Sequence, residues 1–341
     1  MRSTVRIGMV GAGAVAARHV RALLAMDGVE VAAVADPALE RAKELAAEAG
    51  AAAYPDHMEL LAAERLDAVY ICVPPFAHGA PELAVIDAGL PMFVEKPVAI
   101  DQETATAIAI RLAGRPLVTC TGYHWRWLDI FDRAADLLGD RPARLVQCSW
   151  LDKVPPPPWW LRRDRSGGQT IEQTTHVLDT ARGLAGDVVE VHAFAARAAS
   201  TPTPPGPVGE AAPPAADVHD VSVASLRFAS GAVGTVASTC LRPRLQLAGV
   251  QVIADGLSLE LSETELLVEV DGRRDAWTAD ADARPRPDRD FVAAVRGGEN
   301  RIRVPWPEAY RTHLLACAIT RSADEGRPLP VFPDGRGGEG G

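Results

Sequence analysis

Val5-Arg6-Ile7-Gly8-Met9-Val10-Gly11-Ala12-Gly13-Ala14-Val15-Ala16 is the stretch that decides the fold. Its first half is short and apolar, the pattern of a buried strand. Gly11 to Gly13 then read as a turn, and residues 15–26 carry helical periodicity. The turn matches G-x-G-x-x-G/A in the required context, between a strand and a helix. Gly11 permits the tight turn, Gly13 lets the backbone approach a pyrophosphate, and Ala16 allows close helix–strand contact. Ala14 and Val15 open the helix, whose orphan amides and positive dipole end suit phosphates. Asp36 closes the next apolar run, Val29 to Ala35, roughly 20 residues on. A carboxylate there accepts hydrogen bonds from ribose hydroxyls and repels a 2′-phosphate. NAD is the expected cofactor, with NADP possible through Arg41 or a loop residue.

Outward from this unit the rhythm persists. Strands at 67–73, 92–94 and 117–121 alternate with helical patterns at 37–49, 78–88 and 101–113, the signature of βαβ units and a parallel sheet. After about residue 122 the rhythm changes. A strand at 143–151 and a helix at 171–184 lead into strands at 187–197, 218–229, 232–241, 245–254, 257–262, 264–270 and 273–278, with helices at 288–296 and 307–325. Consecutive strands without intervening helices predict a largely antiparallel sheet with helices on one face. The expected division is 1–121, 122–331 and a disordered tail at 332–341. The Ala/Pro/Thr/Gly-rich run at 198–216 reads as a mobile surface loop.

The 341 residues are too many for one hydrophobic core, so two domains are expected. With 35 basic against 45 acidic residues and a formal charge of −10, neither nucleic acid nor an anionic membrane is an expected partner. No apolar run of about 18 residues predicts a transmembrane helix. Arg2 and Arg6 before an apolar run resemble a secretory leader, but the glycines at 8, 11 and 13 spoil the apolar segment, and cleavage would destroy the glycine motif. The five cysteines are scattered, show no metal-ligand spacing, and fit a reducing compartment. The expected location is cytoplasmic, with no metal.

Val73-Pro74-Pro75 and His78 follow a strand at the carboxyl edge of the sheet, where ligands bind in open α/β folds. His78 reads as a cofactor-wall or structural residue. Glu95-Lys96-Pro97 follows another strand at the same edge, which makes Glu95 and Lys96 candidate cofactor contacts. Lys96 can donate to a substrate oxygen and stabilise charge developing on it, or form a surface ion pair with Glu95. Pro97 makes a cis Lys96–Pro97 bond accessible. In Gly167-Gly168-Gln169-Thr170-Ile171-Glu172-Gln173-Thr174-Thr175-His176, Glu172 and His176 are four apart and share one helical face. A carboxylate beside an imidazole suits a general acid/base. The same segment fits a capping box, Thr170 with Gln173, that only starts a helix. Tyr123 and Arg126, with Trp160 and Arg163, suit stacking on a ring and hydrogen bonding to hydroxyls, or equally a domain-junction core. Ser149 to Asp152, Trp277 and Trp306 read as core or surface.

Taken in order and spacing, these motifs resemble the Gfo/Idh/MocA oxidoreductase family, from Ile7 to about Val331. The resemblance implies an α/β fold: an N-terminal Rossmann domain with a doubly wound parallel sheet, and a C-terminal α+β domain with a large, mostly antiparallel sheet. In the family that sheet often forms a dimer or tetramer interface, so a homodimer or homotetramer is expected. Members interconvert a secondary alcohol and a ketone on a sugar, cyclitol or related polyol. By position, the resemblance implies that Lys96 contacts the reacting oxygen, His176 passes the proton and Glu172 supports it, with Lys96 and His176 converging on a nicotinamide ring from two domains. Many members have Asp where this chain has Glu172, whose carboxylate is one methylene further out. Two rival readings remain: a glycosidase using tightly held NAD for transient oxidation and elimination, and a non-catalytic NAD-binding regulator.

Overall fold

The computed structural model describes residues 4–197 and 216–332. The loop expected at 198–216 lies outside them apart from Ala216, as does the tail expected at 332–341 apart from Phe332.

The chain divides into two compact units. The first comprises Met1–Ala99, Glu103–His124 and Asp282–Tyr310; the second comprises Ile100–Gln102, Trp125–Ala281 and Arg311–Gly341. The segment 282–310, which sequence order alone places with the second domain, therefore belongs to the first unit. The reason lies in its aromatic core: Phe291 meets the stacked rings of Tyr70 and Phe93 edge-on, at 5.4 and 5.7 Å between centroids. Burying a phenylalanine against such rings is worth more than sequence proximity.

In chain order the elements are Val5–Val10 (β1), Ala14–Leu24 (α1), Val29–Ala35 (β2), Leu39–Ala49 (α2), Ala52–Tyr54 (β3), His57–Ala63 (α3), Ala68–Ile71 (β4), Ala80–Asp87 (α4), Met92–Val94 (β5), Gln102–Leu112 (α5), Thr119–Thr121 (β6), Asp129–Leu138 (α6), Leu145–Leu151 (β7), Arg163–Ser166 (α7), Thr175–Ala185 (α8), Val188–Ala196 (β8), Val221–Phe228 (β9), Val233–Thr239 (β10), Leu247–Ala254 (β11), Leu257–Ser262 (β12), Glu265–Val270 (β13), Arg273–Thr278 (β14), Arg286–Val295 (α9), Trp306–Glu325 (α10) and Leu329–Pro330 (β15). The first unit's sheet runs β3-β2-β1-β4-β5-β6 with every pairing parallel. The order in which strands are added reverses between β1 and β4, the switch point at which such sheets open a crevice beyond their carboxyl ends. The near-continuous burial of Ile7 to Val10, Val31 to Ala35 and Ala68 to Ile71 is what a sheet covered on both faces demands.

The second unit's sheet runs β14-β13-β12-β11-β7-β10-β9-β8-β15, antiparallel except for β7 with β10. Helices lie on one face, α6 against β12 and β13 and α8 against β7 and β11. Alternation follows: in β9, Ala224, Leu226 and Phe228 are buried, whereas Val221, Val223, Ser225 and Arg227 are exposed.

The periodicity leaves residues 50–66 and 128–142 without elements, and the structure fills both. α3 is short and starts on Asp56, whose carboxylate accepts from the Met58 and Glu59 amides at 2.8 and 2.9 Å. α6 buries Ile130, Phe131, Ala134 and Leu138 along one stripe.

Candidate active site

In the first unit the glycine turn leaves β1 and enters α1. Gly11 has φ +97°, and a Cβ there would strike the carbonyl oxygen of Cys72 after β4. Gly13 caps α1, and a Cβ on it would meet nothing within 4 Å. No side chain caps this helix, and Ala14 and Val15 are exposed. The first-turn amides, which no carbonyl of their own helix can satisfy, thus face an open approach. Asp36, just after β2, stands beside the turn: Oδ2 accepts from the Ala12 amide at 2.9 Å and Oδ1 from the Ala38 amide at 2.8 Å. A carboxylate has lone pairs beyond these two for ribose hydroxyls. The open cradle, the uncapped helix end and the anchored carboxylate fit a dinucleotide.

Val73 and Pro74 are half-buried and Pro75 is buried. The ring of His78 turns inward, its Nδ1 2.6 Å from Oε1 of buried Glu82, while Glu82 Oε2 accepts from the Gly79 amide at 2.6 Å. His78 therefore braces the entry to α4.

Glu95-Lys96-Pro97 follows β5 at the carboxyl edge shared with the glycine turn, and the Lys96–Pro97 bond is cis. Glu95 is not a surface partner for Lys96. It is 6 % exposed, and its carboxylate accepts from His19 Nε2 at 2.8 Å, from Arg18 at 3.4 Å and, through Oε2, from the Lys96 amide at 3.1 Å. A Cβ on Gly122 would come within 2.5 Å of that carboxylate, so glycine is required there. Across the imidazole, His19 Nδ1 meets Asp288 Oδ1 at 2.6 Å. Neither His19 nor Asp288 stands out in the sequence: they are 269 positions apart, and only the packing of α1, β5 and α9 brings them together. Tyr123, in the same unit, is buried.

In the second unit, residues 170–174 wind as a π-helix before α8 begins. The capping box expected of Thr170 and Gln173 does not form; Gln173 Oε1 instead accepts from Gln169 at 3.1 Å. The wider π turn changes the side-chain directions that α-helical spacing assigns to Glu172. Its Oε2 accepts from the buried Trp160 indole at 2.8 Å. His176 is buried, with its ring 5.7 Å from Trp150 and 6.2 Å from Trp125, both nearly parallel to it. Trp150, read from sequence as core or surface, is thus a direct neighbour of His176. Arg126 is committed elsewhere: it donates to Asp179 at 2.8 Å and lies over Gly183, where any Cβ would overlap the guanidinium. Arg163 pairs with Asp324.

Two family models match the chain. One, described as an oxidoreductase family with an NAD-binding Rossmann fold (Gfo/Idh/MocA), matches residues 5–123, and the other, the C-terminal domain of the same family, matches residues 142–259. The chain belongs to the Gfo/Idh/MocA family. Among curated Gfo/Idh/MocA relatives, the myo-inositol 2-dehydrogenase of Thermotoga maritima is 27% identical over 236 residues, 68% of this chain and 67% of that protein. The rhizopine catabolism protein MocA of Rhizobium meliloti is 32% identical over 186 residues, 53% of this chain and 57% of its own length. The chain thus spans between about half and two thirds of these two relatives. In fold it resembles a levoglucosan dehydrogenase solved with NADH, with a TM-score of 0.84 and 21% identity over 97% of this chain and all of that one. No helix among the described residues is long and apolar enough to cross a membrane, and no group of three or more His, Cys, Asp or Glu among them is placed to hold a metal ion.

Replacing Gly11 by Ala puts a side chain in left-handed backbone and against the Cys72 carbonyl, at a cost on the order of 1–3 kcal/mol. The Gly11→Ala protein is expected to bind NADH at least about tenfold more weakly, because the shift needed to relieve that cost displaces the amides that face the phosphates. A fluorescence titration with NADH reads the change.

Proposed function

We propose that the protein is an NAD-dependent oxidoreductase that interconverts a secondary alcohol and a ketone on a sugar, cyclitol or related polyol. One observation carries this reading: Lys96 leaves β5 on the same sheet edge as the glycine turn after β1, within a β3-β2-β1-β4-β5-β6 sheet. A cation there acts where a dinucleotide's reactive end is presented in such folds. The names of the relatives, which include a myo-inositol 2-dehydrogenase, support the substrate class.

When bound, NAD supplies a hydride acceptor. The chain supplies the rest. Gly11, Gly13, Ala14 and Val15 present amides to the pyrophosphate, Asp36 accepts from ribose, and Val73, Pro74, Pro75 and His78 shape the wall beyond β4. Lys96 donates to the reacting oxygen and offsets the negative charge that grows there as the hydroxyl proton leaves. His176 takes the hydroxyl proton. The aromatic rings beside it restrict its orientation, and the indole of Trp160 holds the Glu172 carboxylate in place. Tyr123 and Trp160 are buried in the cores of their own units, and Arg126 and Arg163 are held by ion pairs with Asp179 and Asp324.

The second unit's open sheet face supports a homodimer or homotetramer. Phe194, Val223, Ala237, Ser149 and Gly249 line up across β8, β9, β10, β7 and β11, and Phe194 and Val223 are 62 % and 52 % exposed. Such a patch marks an interaction surface. Five free thiols support a cytoplasmic location.

A panel of cyclitols, sugars and their keto forms, followed by NADH absorbance, tests the activity. On the best substrate, Lys96→Met and His176→Ala are each expected to lower kcat by about a hundredfold or more while NADH affinity stays within a few-fold; wild-type turnover in either removes that residue from the mechanism. Asp36→Ala is expected to weaken NAD more than NADP, and equal effects would overturn the cofactor preference. Val223→Lys should shift the protein toward monomer in sedimentation equilibrium, and an unchanged mass would move the interface off this face.

A further inference from the structure

The charge arrangement around His19 goes beyond holding the first unit together. Both ring nitrogens lie within hydrogen-bond distance of carboxylate oxygens, Glu95 Oε1 at 2.8 Å and Asp288 Oδ1 at 2.6 Å. An ionised carboxylate only accepts, so satisfying both contacts needs an imidazole that donates from both nitrogens, the imidazolium. All three side chains are buried, and an unpaired carboxylate there would be far costlier than one at the surface. The cation between the two anions leaves the cluster with one net negative charge, which Arg18 partly offsets at 3.4 Å from Glu95.

The cluster also has a direction. His19 lies on α1, the helix whose N-terminal amides face the dinucleotide. Glu95 ends β5, and its second oxygen accepts from the amide of Lys96. Gly122 backs the same carboxylate and leaves room for it only because it lacks a side chain. Gly13 and His19 lie within about two turns of one another along α1, so a dinucleotide seated on its end is connected through His19 and Glu95 to the backbone that carries Lys96.

We propose that His19 is a positioning residue: as an imidazolium it ties the dinucleotide-bearing helix to Glu95 and thereby places Lys96 for reaction. This rests on the reading of Lys96 as the group that acts on the substrate oxygen. Glu95 and Asp288 face the imidazole and the Tyr70 ring lies 5.4 Å from it; further out, Arg18 and Lys96 act on Glu95, and Cys72, Cys120 and Asp290 belong to the surrounding electrostatic network. Burial pushes Tyr70, Cys72 and Cys120 well up, so these stay neutral. Burial pulls His19 down, but Asp288 and Glu95 outweigh it and hold the imidazole at about 9, above its ordinary 6.5. Burial pushes Glu95 up, yet the hydrogen bond and charge of His19, with Arg18 and Lys96, hold it below the usual carboxylate range. A raised histidine stabilises the fold fully below pH 6.5 and loses that contribution as pH rises through about 9. The clamp therefore works at neutral pH and opens in alkali.

Three proteins test this: wild type, His19→Gln and Asp288→Asn. The His19→Gln side chain is neutral and carries both N–H donors on a single nitrogen, so it cannot reproduce the charged, two-sided imidazolium contact; its expected signature is a kcat lowered by about a hundredfold with NADH affinity within about threefold. Asn at 288 can donate to a neutral imidazole, which then still donates to Glu95 through Nε2, so every contact survives deprotonation. Wild type is expected to lose kcat as pH rises through about 9, and in Asp288→Asn that alkaline fall is expected to vanish. This variant keeps the proposal falsifiable if His19→Gln does not fold. Acetylation of Lys96, followed by peptide mass spectrometry with and without NADH, needs no turnover. NADH is expected to protect Lys96 about tenfold more in wild type than in His19→Gln, or, where that variant does not fold, than in wild type at pH 10. A wild-type kcat in His19→Gln, the same alkaline limb in wild type and Asp288→Asn, or equal protection of Lys96 overturns the proposal. If no substrate turns over but protection depends on His19, the positioning role stands and the oxidoreductase reading is what fails.

Discussion

Two buried carboxylates sharing one imidazole are the constraint around which the first unit is arranged. Burying Glu95 and Asp288 without His19 would leave two like charges in a medium that cannot screen them. With the imidazolium between them, α1, the end of β5 and α9 are held to one another by short charge-assisted hydrogen bonds. The aromatic cluster of Tyr70, Phe93 and Phe291 supplies the apolar area around that centre, and two rings lie against His19 itself. Arg296, following α9, donates to the Asp27 and Gly28 carbonyls after α1. Residues 282–310 are thereby part of the nucleotide-binding unit, although they follow it by more than 150 residues in sequence.

The second unit solves the same problem with a longer chain of groups. Arg126 donates to Asp179, which accepts from Thr312; Arg182 donates to Thr312 and to Asp187, and Arg311 pairs with Asp187. Asp179 and Arg182 sit on α8, the helix that carries His176, so the network fixes the rotation of that helix about its axis. Gly183 on the same helix lets the Arg126 guanidinium lie against it. The π-helix before α8 then sets where Glu172 points, toward the indole of Trp160. Each unit thus fixes the backbone near Lys96 or His176 through ionic groups on the same element or loop, Glu95 one residue from Lys96 and Asp179 three from His176, rather than by apolar packing alone. Such networks are sensitive to a single lost partner, since the remaining charge is left buried.

How much of this was legible in the sequence follows from the range of the interactions. Strand and helix periodicities depend on neighbours within a few residues, and the parallel and antiparallel sheets emerge from them in the order read. The glycine motif was equally legible because its chemistry is local: Gly11 must adopt positive φ, and Gly13 must leave the helix end open. Short elements escaped, since three residues of β3 and seven of α3 show too little period to register. The expected roles of Glu95 and Arg126 as ligand-facing groups rested on their place in a motif. Their observed contacts, to His19 and to Asp179, come from elements that periodicity does not place.

The sequence by itself determined the alternation of elements, the glycine turn with Asp36 beside it, and the family to which the chain belongs. Each follows from backbone sterics, side-chain period or the order of motifs along one chain. Only the tertiary structure decided that His19, Glu95 and Asp288 form one buried cluster, that Trp125 and Trp150 lie against the ring of His176, and that Trp160 holds Glu172. The physical reason is desolvation: a polar group removed from water takes whichever partner the packed fold brings within about 3 Å, and that partner can come from anywhere in the chain.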